Sequence, residues 1–311
     1  MVTLARRQAQ VAEVSIWIVL SSASTLFRLT SQRIQRGGIS KFRIDDWIMV
    51  FVFFFNLADG GAGLYAILEM NLLGALDSES SEEVMAKYIK IAHYFFVPGE
   101  MVFQLKLWLL KACLVILYWR LTVQSKLRHV VMAAGIYCIV SYLVVVLFLL
   151  VFMCRPFSGF WLDIENAPTS NCVTWLPYYK VQLPMNISSD LLIFCIPLAL
   201  FSNSTLPWKR KILLCGIFSV GAIVILFAIL NKVFLFQDST NPEYVIWSYR
   251  ECNLAVIVTN APMCWTALRR IFGLKAFSEE SSNVRKLNIK TGDSECSPWS
   301  SKSDSTSAAT P

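Results

Sequence analysis

The chain has 311 residues, 56% of them hydrophobic and only 16% charged, with a formal net charge of +7 and a mean hydropathy of +0.54. Soluble domains carry about 25% charged residues, so this composition excludes an ordinary soluble globular domain. The basic excess does not point to nucleic acid, because the lysines and arginines sit beside the ends of apolar stretches. Residues so placed mark the cytoplasmic face of a membrane and meet anionic lipid there.

The apolar stretches, in chain order, are Val11–Leu29, Asp46–Met70, Ile91–Leu121, Val130–Phe152, Tyr178–Phe201, Ile212–Leu230 and Tyr244–Leu268. Crossing about 30 Å of hydrocarbon takes about 20 helical residues, and each stretch is long enough. Val130–Phe152 holds no charged residue at all, whereas a packed helix of a soluble protein would need a polar stripe over that length. The fold class expected is all-α, a polytopic seven-transmembrane helix bundle.

Loop charge fixes the expected orientation. The first loop carries Arg33, Arg36, Lys41 and Arg43, the third Arg120, Lys126 and Arg128, and the fifth Lys209, Arg210 and Lys211. The second carries Asp77, Glu79, Glu82 and Glu83 against Lys87 and Lys90, the fourth Asp163 and Glu165 against Arg155, and the sixth Asp238 and Glu243, while Arg6 and Arg7 oppose the orientation and are outweighed by the first loop. Basic loops face the cytoplasm, so an odd number of spans puts the N-terminus outside and the C-terminus in the cytosol. No small-residue cleavage site follows Val11–Leu29, which reads as a retained first helix and not as a signal peptide. The domain reading is a short extracellular N-terminus over 1–10, a membrane domain over 11–277, and a disordered Ser/Thr-rich cytosolic tail over 278–311.

Six of the nine cysteines, Cys113, Cys138, Cys195, Cys215, Cys252 and Cys264, fall in the apolar stretches, where a thiol behaves as a small hydrophobe. Cys154 and Cys172 flank the fourth loop on the expected outer face, where oxidation is possible. They are the candidate disulfide, the alternative being two unrelated thiols at the membrane edge. The sequons at Asn186 and Asn203 fall inside the fifth span and on the cytosolic side, so no glycosylation is expected.

Ionisable groups inside a span cost at least a few kcal/mol and are functional candidates by default. The mid-span set is Asp59, Glu100, Lys106, Lys111, Asp190, Arg250 and Glu251, with Asn56, Asn186, Asn231, Asn253 and Asn260. Asp59, Lys111, Asp190, Glu251 and Asn260 are the candidates for a ligand cavity or intramembrane polar network. The plainer reading is a set of interhelical bonds that hold the bundle. Arg120, at a span end, reads as a snorkelling anchor. Lys111 lies nine residues deeper, roughly 13 Å of helix, and calls for a carboxylate partner. Asp45 and Asp46 read as a helix cap. Pro184, Pro197 and Pro262 favour kinks.

Several chemistries have no seat. The two histidines, His93 and His129, are far apart, so no His-box or HExxH metal site is expected, and no Gly-rich phosphate loop occurs. The seventh stretch has no lysine for a retinal Schiff base. No catalytic motif, metal or cofactor is expected, and retinal is not.

Asp45-Asp46-Trp47 opens the second span and the run from Lys111 to Leu121 closes the third. Cys154-Arg155-Pro156 with Trp161 and Cys172 marks the fourth loop, the run from Ser189-Asp190 to Pro197 the fifth span, and Trp247 with Glu251 and Ala261-Pro262 the seventh. In that order the set resembles the fungal rhodopsin-domain integral membrane proteins, which include the Pth-type receptor-like proteins and the membrane proteins of satratoxin-type toxin gene clusters. The resemblance covers about residues 15–275. It implies a plasma-membrane seven-helix protein, a GPCR-like sensor of a small molecule or surface cue, in some members associated with fungal secondary metabolism. Implied partners are the lipid bilayer, a small-molecule ligand and a heterotrimeric G protein. The chain departs from the pattern in having Lys111-Ala112 where lysine-serine is usual, and in a short N-terminus without room for an eight-cysteine module. In the receptor reading an outer cavity takes the ligand and the inner loops meet the partner. The alternative is a membrane-embedded enzyme, terpene-cyclase-like, using Asp59, Asp190 or Glu251 as acid, or a transporter.

Overall fold

A computed structural model describes residues 2–73, 78–123, 127–161, 172, 176–202, 221–223, 225–233, 236 and 243–271. It is an all-α bundle. Its helices are α1 (Val2–Arg36), α2 (Ile44–Leu73), α3 (Ser78–Leu121), α4 (Arg128–Leu147) and α5 (Leu176–Ser202), then α6 (Gly221–Val233) and α7 (Glu243–Ile271). A π-helical turn, Phe148–Phe152, extends α4. The chain divides into two compact units, Met1–Trp265 and Thr266–Pro311, and the second is described only as far as Ile271.

Among the described residues five helical segments are long and apolar enough to cross a membrane: Gln8–Arg36, Ile44–Tyr65, Val97–Leu121, Arg128–Phe152 and Leu176–Ala199. These correspond to the first five expected stretches. The expected sixth, Ile212–Leu230, lies partly outside the described residues, and the rest is helical in α6. The expected seventh lies within α7, whose charged and amide residues lower its hydropathy. Helix α1 starts at Val2, so most of the segment expected to precede the first span is helical too. The tail over 278–311 lies outside the described residues.

The bundle is built inside out relative to a soluble protein. Val19, Phe54 and Ile139 are 65%, 62% and 63% exposed, whereas Lys106, Asp46 and Glu251 are 1%, 0% and 2% exposed. Lipid solvates the apolar faces, so there is no hydrophobic force to bury them, and the polar groups are driven inward to find partners.

Close approach of the helices rests on small residues. A Cβ on Gly60 would come within 2.6 Å of Ile18 on α1, and one on Gly63 would run into the phenol of Tyr249 on α7. Helix α1 ends where Gly37 turns to φ 74° and donates its N–H to the carbonyl of Arg33 at 3.0 Å, a left-handed stop that glycine adopts without a Cβ clash. Helices α1, α2 and α3 pack side by side, as do α3, α4 and α5. Apolar contacts around Trp108, Val145 and Tyr178 join α3, α4 and α5, and those around Met49, Leu110 and Val256 join α2, α3 and α7.

Candidate functional site

One set of buried polar residues forms a column between α3, α5, α6 and α7. Lys111 on α3 is its centre. Its ammonium lies 2.7 Å from Asn186 Oδ1, 3.0 Å from the Asn186 carbonyl, 2.6 Å from Ser189 Oγ and 3.1 Å from Asp190 Oδ1. It also sits 4.6 Å above the Trp108 ring. The α5 spacing explains this set: Asn186, Ser189 and Asp190 fall three and four residues apart and share one helical face. Asn186 then turns its Nδ2 toward Glu251 Oε1 on α7 at 3.1 Å, and Asn231 on α6 donates to Glu251 Oε2 at 2.9 Å. Asn186, 2% exposed, is therefore a bridge between Lys111 and Glu251.

Above this level the column continues. Gln104 donates to Glu100 Oε1 at 2.7 Å, and the phenols of Tyr178 and Tyr179 donate to the same carboxylate at 3.1 and 3.4 Å. Gln182, fully buried between those tyrosines and Asn186 along α5, has both side-chain amide atoms unpartnered. Lys232 on α6 is 3% exposed and lies 4.4 Å above the Tyr179 ring.

Below Lys111 a cavity opens among α3, α5, α6 and α7, enclosing about 830 Å³ of non-atom space, part of it open to the outside of the bundle. Lys111, Asn186, Asp190 and Glu251 form its polar end. Leu114, Ile193, Phe194, Ile225 and Val258 make apolar walls as it runs toward Tyr118, Pro197 and Pro262. This is the half of the bundle that carries Arg36, Arg120 and Arg128, not the half with Cys154 and Cys172.

The five sequence-level candidates thus separate. Lys111, Asp190 and Glu251 meet in one site and line the cavity. Asp59 instead pairs with Lys106 of α3, and its backbone carbonyl accepts from Tyr249 Oη at 3.0 Å. Asn260 faces α1, donating to Thr25 Oγ1 at 3.0 Å and Ser24 Oγ at 3.2 Å. Nearby, Ser21, Asn56 and Asn253 tie α1, α2 and α7 through bonds of 2.6 and 2.9 Å.

At the basic end, Asp45 and Asp46 do more than cap α2. Asp46 accepts the Arg43 N–H at 3.1 Å and pairs with Arg36. Asp45 pairs with Arg28 at 3.0 Å and with Arg120, which is an ion-pair partner and not only a snorkelling anchor. Arg28, 2% exposed, reaches across to the Asn260 amide of α7 at 3.5 Å. At the opposite end Glu13 on α1 pairs with Arg250 of α7, and Cys154 and Cys172 form a disulfide.

Sequence reading missed Arg28, Gln104, Gln182 and Lys232. Arg28 and Lys232 fall beside the edges of the expected stretches Val11–Leu29 and Ile212–Leu230, where a charge reads as loop. The glutamines carry no charge and so give no signal of buried cost. Counting every amide inside a span would have found them. Among the described residues no group of three or more His, Cys, Asp or Glu side chains is placed to hold a metal ion, and no catalytic cluster is present.

The fungal rhodopsin domain matches residues 27–270 of the chain. A SAT4 family membrane protein of Emericella nidulans is 22% identical over 146 residues, which is 47% of this chain and 37% of that relative. The match therefore spans little more than a third of the relative's length. No solved structure matches the chain. With a domain match across most of its length and a lipid-facing bundle closed around buried ion pairs, the chain belongs to the fungal rhodopsin domain family of integral membrane proteins.

Proposed function

We propose that this protein binds a small, mainly apolar molecule with one polar head in the cavity among α3, α5, α6 and α7, and that occupancy is sensed through the helices the cavity touches. One observation carries the reading: apolar walls lead to a single polar end made by Lys111, Asn186, Asp190 and Glu251. Ligand sites have this form, with hydrophobic lining and a few convergent polar groups that fix orientation. A head group that displaces Asn186 from Lys111 would loosen α5 from α3 and α7 together. Sensing at the plasma membrane, with a heterotrimeric G protein docked on the basic end, is the receptor form of this proposal. Its test is retention of a Gα subunit by the purified protein and release by a non-hydrolysable GTP analogue.

Binding itself is tested by mass spectrometry of what co-purifies with the wild type and with Ala255→Trp, which fills the cavity. A molecule retained by the wild type and lost from A255W supports the site. Identical co-purifying material in both proteins removes it.

Transport is the second reading, favoured by the way the cavity meets the polar column above it. Together they place polar groups from the cavity through Asn186 and Gln182 to Glu100. Efflux of the co-purifying molecule from loaded vesicles, abolished by A255W, would select transport over sensing. A cyclase acid finds less support, since Asp59 and Asp190 are each ion-paired to a lysine.

A further inference from the structure

Among the described residues, the buried charges of the upper column do not balance. Asp59 pairs with Lys106 and Asp190 with Lys111, one to one. Lys232 lies 4.4 Å above the ring of Tyr179, whose phenol donates to Glu100, and it follows Asn231, which donates to Glu251, so it is left with two carboxyls, Glu100 and Glu251. Neither carboxylate is within ion-pair distance of the Lys232 ammonium. The other charged or titratable groups facing Glu100 are Asp59 on α2 and Tyr178 and Tyr179 on α5; those facing Glu251 are Lys111 on α3 and Asp190 on α5, already paired with each other. Two ionised carboxylates against one ammonium would leave a net negative charge in the interior. Uncompensated buried charge is expensive, and a carboxyl relieves it by taking a proton.

A second, independent observation shows where that proton would be held. Gln104 donates its amide N–H to Glu100 and Asn231 donates its own to Glu251. In both amides the oxygen is buried and unpartnered, Oε1 of Gln104 and Oδ1 of Asn231. A neutral carboxylic acid beside a primary amide makes two bonds, amide N–H to carboxyl oxygen and carboxyl O–H to amide oxygen. Each carboxyl is thus already beside half of such a pair, and the empty half is the acceptor that an acid proton needs.

We infer that Glu100, Lys232 and Glu251 form a buried proton-binding site in which two carboxyls share one ammonium and one proton. The proton is carried as O–H on the carboxyl that Lys232 does not neutralise, bonded to the adjacent Gln104 or Asn231 oxygen. Glu251 also lines the cavity, and Asn186 links it to Lys111, so one of the two carboxyls belongs to the ligand site. The assignment itself does not depend on a ligand.

The test is infrared spectroscopy of the purified full chain at neutral pH, reading the C=O stretch of protonated carboxyl groups. Wild type shows the band of one such group from this site. Glu100→Gln and Glu251→Gln each remove it, because either substitution leaves one carboxylate for one ammonium. Lys232→Gln doubles it, because both carboxyls must then be neutral. Glutamine replaces glutamate without a change of shape, and circular dichroism checks the fold of each variant. Loss in E251Q alone, with the band intact in E100Q, marks a fixed acid and overturns the shared site. A band unchanged in both variants, or absent from folded wild type, also overturns it. Should one variant not fold, the other together with K232Q carries the same comparison.

Discussion

Lys111 shows what a single buried cation asks of its surroundings. Its ammonium has oxygen partners from Asn186, Ser189 and Asp190, so the cost of removing it from water is met by one face of α5. Removing one partner of such a pair leaves the other uncompensated, which costs about 3–5 kcal/mol, whereas removing both costs far less. Lys111→Met and Asp190→Asn are each expected to lower the unfolding midpoint of the detergent-solubilised protein sharply, and the double variant to recover part of the loss. Additive losses would show that the two side chains act separately. Gly63 makes a steric counterpart. A methyl group there meets the phenol of Tyr249 and breaks its 3.0 Å bond to the Asp59 carbonyl. Overpacking of this kind costs about 1–3 kcal/mol, so Gly63→Ala should destabilise the bundle. Gly61→Ala, where a Cβ would meet nothing within 4 Å, should not. Equal midpoints for the two would sink the close-packing argument.

Between elements, ion pairs join helices that are distant in sequence. Asp45 on α2 holds Arg28 of α1 and Arg120 of α3, and Arg28 continues to α7. Asp45→Asn strips a partner from two arginines and should cost more stability than Arg36→Met, since Arg36 is at the rim and its partner Asp46 keeps the Arg43 N–H. Thermal unfolding of the two variants checks the order. The disulfide joins residues 18 apart, and closing a loop of about that size is worth about 3 kcal/mol in chain entropy. Cys154→Ser with Cys172→Ser should lower the midpoint accordingly, and alkylation of the wild type should depend on reductant. This is also the scale at which the sequence stops being legible. Helix positions follow from runs of apolar residues, which are local. The need of Lys111 for a carboxylate follows from its depth in one helix. That the carboxylate is Asp190, or that Asp45 takes two arginines from helices on either side of it, depends on how helices rotate against one another, and no local pattern encodes that. The same rotation sends Asn260 to face α1 and away from the cavity.

At the scale of the whole molecule, charge is sorted along the bundle. Arg33, Arg36, Lys41 and Arg43 surround the turn between α1 and α2, Arg120 closes α3 and Arg128 opens α4, all at one end. The disulfide and the Glu13–Arg250 pair lie at the other. Basic residues within a few turns of span ends are retained on the cytoplasmic side, so the basic end is expected to face the cytosol. With that orientation the cavity would lie in the inner half of the membrane, whereas the receptor reading expects an outer one. A ligand would then arrive from the cytosol or the inner leaflet. An exposed cysteine at Ser40, in the 3-10 turn between α1 and α2, reports the sidedness. In a background without other accessible thiols, Ser40→Cys should react with a membrane-impermeant maleimide only after the cells are permeabilised. Labelling in intact cells would invert the bundle, and with it the face from which the Lys111 site is reached.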